Sequence, residues 1–232
     1  MSTPRRRFLS WLGGASLLGV AGRPSFARAA AAGSRNPDPQ PNDHPSPVSE
    51  TWDMSWTERV TGKYKAVFDS PEPADGAALF RAVAWCDQYK EVYGSARAEM
   101  SPVVVMRHTA IALVMNDDYW GRFEIGKELK MRNEKGKKWT KVNPVSAKSV
   151  GSDPQSTKYR LETFIASGGI VLACSWAFRF ASSRYAKADG LDSAAALAKA
   201  KENLIAGVIL QPNGIFAALR AQEAGCSYIL AS

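Results

Sequence analysis

Apolar residues along this chain fall into two alternating kinds of run. Residues 64–69, 103–106, 170–174, 208–210 and 228–230 are short and nearly continuous in apolar character, several of them rich in Val and Ile. Such runs are too short for helices and read as strands, most of them buried on both faces. Between them lie longer stretches with helical spacing, at 75–93, 109–130, 158–167, 193–204 and 213–224, and a further helix opens at 175–184. Their ends carry stop and start signals: Asp75 and Asn213 stand as N-caps, and Gly94, Gly168-Gly169 and Gly225 as stops. Five strands alternating with helices predict a three-layer α/β/α fold around a five-stranded, mostly parallel sheet. Strand order does not follow from the pattern.

Two segments break the rhythm. Residues 127–153 are polar, with Lys127, Lys130, Arg132, Lys135, Lys137, Lys138 and Lys141 among few apolar residues, and read as a polar insertion near 130–158. A basic surface for an anionic partner and a solvated loop are the two readings of it, and a run of charge more often only keeps a surface wet. Residues 30–50 hold Pro37, Pro39, Pro41, Pro45 and Pro47 with little to bury, and read as an extended linker that includes His44.

The first 29 residues have another character. Arg5, Arg6 and Arg7 precede Phe8-Leu9 and an apolar run diluted by Gly13, Gly14, Gly19 and Gly22, and Ala27-Arg28-Ala29 offers a cleavage site of small residues. This is the pattern of a twin-arginine export signal, engaging the export machinery through Arg5 and Arg6 and addressing the protein to the periplasm. An uncleaved anchor and a general secretory leader are the alternatives. The apolar run, about 15 residues, falls short of the roughly 20 that a membrane span needs. Residues 51–232 remain as one domain with length for a full core.

Removing the leader changes the charge. The chain carries +8, from 30 basic and 22 acidic residues. Five arginines and no acid lie in residues 1–29, which leaves 25 basic against 22 acidic residues, or +3. A balance near neutrality is not that of a nucleic-acid binder.

Ligands of parallel α/β sheets sit beyond the carboxyl ends of the strands. The residues just after the expected strands are Asp69-Ser70, Arg107-His108, Cys174-Ser175 and Gln211-Pro212-Asn213-Gly214, so a carboxylate, a guanidinium, an imidazole and a thiol share one rim. Cys174 is the sharpest candidate. At a helix N-terminus its thiolate is favoured by the dipole and by free backbone N–H groups, and Arg107 and His108, if close, add to this. The alternative is a small buried hydrophobe. Cys86 lies on the apolar stripe of its helix and reads as structural, and Cys226 sits at a helix-to-strand turn. Asp69, Ser175, Asn213 and Gly214 form the candidate anion or ligand rim, where helix N–H groups could hold an oxyanion and a capped turn explains the same residues.

Several chemistries lack a motif. There is no Cys-x-x-Cys, no G-x-G-x-x-G, no phosphate-binding G-x-x-x-x-G-K-S/T and no G-x-S-x-G elbow, so no cofactor is expected. His108, Cys174 and Asp69 are too few to argue for a metal.

With these residues laid out, the chain resembles the DsrE/DsrF-like sulfur-relay family. The likeness rests on Ser167-Gly168-Gly169-Ile170-Val171-Leu172-Ala173-Cys174, on Gly207-Val208-Ile209-Leu210-Gln211-Pro212-Asn213-Gly214, on Leu219-Arg220-Ala221-Gln222-Glu223-Ala224-Gly225-Cys226-Ser227-Tyr228, and on Val104-Val105-Met106-Arg107-His108. It covers much of 64–232 and excludes the leader and the insertion. The resemblance implies an α/β/α fold, homo-oligomers, and a cysteine, here Cys174, that carries sulfur as a persulfide received from a small sulfur compound or a partner sulfur-carrier protein. A non-catalytic protein that holds a small anion or assembles with partners in the periplasm is the competing expectation, because fold alone does not give function.

Overall fold

The computed structural model describes residues 52–133 and 136–232; the expected export signal, the linker and Lys135 lie outside them. Five strands form one sheet: β1 (Tyr64–Ser70), β2 (Met100–Met106), β3 (Ile170–Cys174), β4 (Ile209–Gln211) and β5 (Ser227–Leu230). Every pairing is parallel, and the order is β4-β3-β2-β1-β5. Helices α1 (Ala77–Tyr93), α2 (Asp117–Arg122), α3 (Ile125–Glu128), α4 (Ala147–Val150), α5 (Leu161–Ala166), α6 (Ser175–Asp189), α7 (Ser193–Lys201) and α8 (Gly214–Glu223) connect them. The expected α/β/α architecture is therefore observed.

Strand alternation divides the core in two. Ala66, Phe68, Val104, Met106, Val171 and Ala173 face the layer built from α1, α5, α6 and α7. Val67, Val103, Val105, Ile170 and Leu172 face the opposite side, where Ala217, Ala218 and Ala221 of α8 and Trp56 cover them. Handedness accounts for this division. From β1 through β4 the chain steps one way across the sheet, so right-handed crossovers keep the connecting helices on one face. The step from β4 back to β5, beyond β1, runs the other way and carries α8 to the second face. Strands β2 and β3 are buried throughout, as their unbroken apolar runs predict, whereas the edge strand β5 is largely exposed. Pro102, with no N–H to give, is tolerated inside β2 because there the strand pairs with β1 alone; pairing with β3 begins at Val103.

Three helix expectations need correction. Asp75 is not an N-cap. It lies at φ 52° inside a 3₁₀ turn, and Gly76 at φ 84° precedes α1 with no side-chain cap. A side chain at Gly76 would meet Val145 as well. The single helix expected over 109–130 is broken into a 3₁₀ segment (His108–Val114), α2 and α3. The backbone at 114–116 is engaged elsewhere: Ile205 N–H donates to the Val114 carbonyl at 2.9 Å and Asn116 N–H to the Asn203 carbonyl at 2.9 Å. Asn116 then starts a new helix, its Oδ1 accepting from Tyr119 N–H. The same contacts end α7 before Leu204, which bridges Met115. Arg160, in extended conformation, likewise splits the 158–167 stretch into a 3₁₀ turn and α5.

The polar segment has two parts. Lys127, Lys130, Lys137, Lys138 and Lys141 are exposed, and Arg132 pairs with Trp139 in an antiparallel bridge, its guanidinium 4.1 Å from the ring centre. Beyond Lys141 the chain turns inward, and Asn143, Val145 and Ser146 are buried. Asn143 Nδ2 donates to the Leu113 and Met115 carbonyls, each at 2.7 Å, and its Oδ1 accepts from Val145 N–H at 3.1 Å. One amide thus ties the segment to the broken helix. Asn143→Ala, which leaves two buried carbonyls without a donor, is expected to cost about 3 kcal/mol. Urea unfolding checks this: the midpoint falls while the slope stays unchanged.

Candidate functional site

The reversal of direction after β4 creates a switch point. The chain leaving β3 runs to α6 on one face, and the chain leaving its neighbour β4 runs to α8 on the other. Crevices of this kind are where parallel sheets bind ligands. Cys174 and Gln211 are register partners at the ends of β3 and β4, and Ser175 and Asn213-Gly214 begin the two diverging helices. One residue past the last registered pair of β2 and β3, Met106↔Ala173, stand Arg107 and Cys174.

Asp69 anchors the β1 side of this edge. Its carboxylate is buried and takes three hydrogen bonds: Oδ1 from Arg107 Nε at 2.8 Å, and Oδ2 from Arg107 Nη2 at 2.8 Å and from the Tyr228 hydroxyl at 2.6 Å. The bidentate fork fixes the guanidinium plane. The hydrogen bonds to Asp69 hold Arg107 more firmly charged than usual and push the Tyr228 phenol upward, since its neutral O–H is the donor. Arg107 also lies against the first residue of α8. A Cβ on Gly214 would come within 2.5 Å of Arg107 Cβ and 2.7 Å of Cδ, so only glycine lets α8 start there. Asn213 caps that helix, its Oδ1 accepting from Phe216 N–H at 2.9 Å.

Cys174 ends β3 and is the N-cap of α6, with Sγ accepting from Ala177 N–H at 3.5 Å. It is 6% exposed and packs with the core beneath α6. Beside it, Gln211 is fully buried; its Nε2 donates to the Asp53 carbonyl at 2.9 Å, and its Oε1 has no partner among the described residues. A cleft of about 540 Å³ opens along the β4 edge, lined by Ser175, Asp53, Lys201 and Leu210 among others.

His108 directly follows Arg107. It takes φ 51°, turns the chain into the 3₁₀ segment, and lines a separate cavity with Tyr119, Phe180 and Arg184, of which Cys174 is not part. Asp69, Arg107, Cys174, Ser175, Asn213 and Gly214 thus stand at the ends of the strands and the starts of α6 and α8, and the imidazole lines the cavity beside them. The other two cysteines are free and buried; desolvation pushes the Cys86 thiol up and the Cys226 thiol up to about 11. Among the described residues no three of His, Cys, Asp and Glu gather as metal ligands.

Tyr228 and the unpaired carbonyl of Gln211 are additions to the sequence reading. In sequence, Tyr228 is only the start of a last strand. It meets Asp69 because β5 returns to the far side of β1, which requires knowing strand order. The fold and the site thus define an α/β/α protein with a helix-capping thiol at the switch point of a parallel sheet. Comparison of the chain with protein-family models, with curated proteins and with solved structures finds no match.

Two outcomes follow from the Asp69 cluster. Gly214→Ala, which drives a methyl group into Arg107, is expected to destabilise the fold by about 1–3 kcal/mol. In a pH titration, the Tyr228–Asp69 contact contributes stability below the usual phenol value of 10.0 and loses it as pH rises through the raised one. Ultraviolet titration of wild type against Tyr228→Phe checks this: the difference spectrum shows one phenol ionising above the ordinary range.

Proposed function

We propose that this chain is an exported thiol protein of the sulfur-relay kind, in which Cys174 accepts sulfane sulfur as a persulfide and passes it on. The observation that carries this reading is the position of the thiol: a sulfur capping the N-terminus of a 15-residue helix at the switch point of the sheet, with Arg107 following the neighbouring strand β2. Helix N-termini favour the thiolate, which is the attacking form. The resemblance of 167–174, 207–214 and 219–228 to the DsrE/DsrF-like family supports the same role, and the paired arginines Arg5 and Arg6 support export to the periplasm.

The chemistry is an exchange at sulfur. The Cys174 thiolate attacks the outer sulfur of a donor persulfide R–S–SH. The Sγ–S bond forms as the donor S–S bond breaks, and the electron pair leaves on the inner sulfur as a thiolate that takes a proton from solvent. Cys174 then carries the extra sulfur, and no oxidant or reductant is consumed. Arg107 and the amides opening α6 and α8 are the groups available to the anionic donor, and Ser175 borders the cleft through which a small donor approaches.

A second reading, a non-catalytic anion-binding protein, is favoured by the commitment of Arg107 to Asp69 and by the place of His108 in the lining of another cavity. One experiment separates the two. Folded protein is treated with glutathione persulfide and its cysteine peptides are weighed. The sulfur-relay reading expects one added sulfur on the Cys174 peptide, lost in Cys174→Ala and kept in Cys86→Ala and Cys226→Ala. Absence of added sulfur at Cys174, with the function of the chain retained in Cys174→Ser, sinks it and supports the second reading.

A further inference from the structure

The cavity that His108 lines does not include Cys174 among its lining residues. It opens between the 3₁₀ segment His108–Val114, helices α2 and α3, and α6, with a volume of about 490 Å³. That is within the roughly 300–1,000 Å³ range of small-molecule sites. Its floor is apolar and closed: Ile111, Tyr119, Ile125 and Ala181 are all buried. Its mouth is cationic. Arg184 and Lys187 stand one turn apart on α6, and His108 lines the same cavity. One carboxylate, Glu128, is present, and it is already held by Arg184 at 2.6 Å. Lys187 has no carboxylate within ion-pair distance among the described residues.

Two features at the mouth are costly unless something uses them. His108 holds a left-handed backbone conformation that disfavours side chains, at φ 51°, and strain of this kind concentrates at ligand sites. Phe180, also lining the cavity, leaves 74% of its surface to solvent. An apolar floor, a bare aromatic and an unneutralised cation at the opening describe a ligand with matching parts.

We infer that this cavity binds a small amphipathic monoanion, its apolar body against Ile111, Tyr119 and Ile125 and its acidic head at Lys187 and His108. The site is separate from Cys174 and does not depend on the sulfur chemistry. The cavity floor excludes water from the body of the ligand, so the apolar part supplies affinity while the head sets orientation.

Isothermal titration of the full chain with decanoate, and with decanol as its uncharged counterpart, tests the inference. Decanoate is expected to bind at a single site and more tightly than decanol. Lys187→Glu, at an exposed position, is expected to weaken decanoate roughly tenfold while leaving decanol unchanged. Ser183→Trp, also exposed, places an indole in the mouth and removes binding of both. Wild-type melting temperatures in the two variants confirm that they are folded. Failure of the wild type to bind decanoate overturns the proposal, as does binding indifferent to Lys187→Glu or undiminished in Ser183→Trp.

Discussion

The ion pair between Asp69 and Arg107 is the contact on which the functional edge depends. A carboxylate buried as deeply as Asp69 is tolerable only when paired and hydrogen-bonded, and here a bidentate guanidinium and a phenol do both. Three consequences follow. The fork holds Arg107 flat across the ends of β1 and β2. The flat side chain forms the surface on which α8 begins, so Gly214 has no room for a side chain. The phenol of Tyr228 ties the edge strand β5 to the same carboxylate. Each strand of the β5-β1-β2 side thereby contributes to one locked cluster beside the switch point.

Topology then decides what that cluster faces. Four strands laid down in one direction put most of the helices on one face, and the second face is closed largely by α8 and Trp56. A single helix suffices because its inward positions are Gly214, Ala217, Ala218 and Ala221, which allow close approach to the Val and Ile side chains of β2 and β3. The divergence of α6 and α8 from neighbouring strands leaves their N-termini at one crevice, with Cys174 capping the first and Asn213 the second. The thiol at that place accepts from the Ala177 N–H, a helix-capping contact made by neither Cys86 nor Cys226 among the described residues.

Much of this was legible in the sequence, because parallel sheets write themselves as unbroken β-branched runs. Val103-Val104-Val105-Met106 and Ile170-Val171-Leu172-Ala173-Cys174 announce buried strands, and the residues following them announce the rim. The caps were less uniform. Asn213 caps as its position predicts, but Asp75 does not, because the backbone there turns left-handed against Val145 and leaves Gly76 to start the helix. The stretch at 109–130 carries helical spacing yet breaks at 114–116, where its backbone groups are claimed by residues 203–205 far along the chain. The left-handed backbone at His108 is equally invisible in the local pattern, and there the chain turns from β2 into the 3₁₀ segment. Tyr228 and Asn143 acquire their roles from partners set by strand order and loop path, and local pattern holds no record of either.

The central claim is that Cys174 is set apart from the other two cysteines by its place at the switch point. The most direct test is the order in which the three thiols of the folded chain react with iodoacetamide, read peptide by peptide over time. The account predicts that Cys174 is modified first while the protein remains folded. Modification of all three together, and only as the chain unfolds, would contradict it.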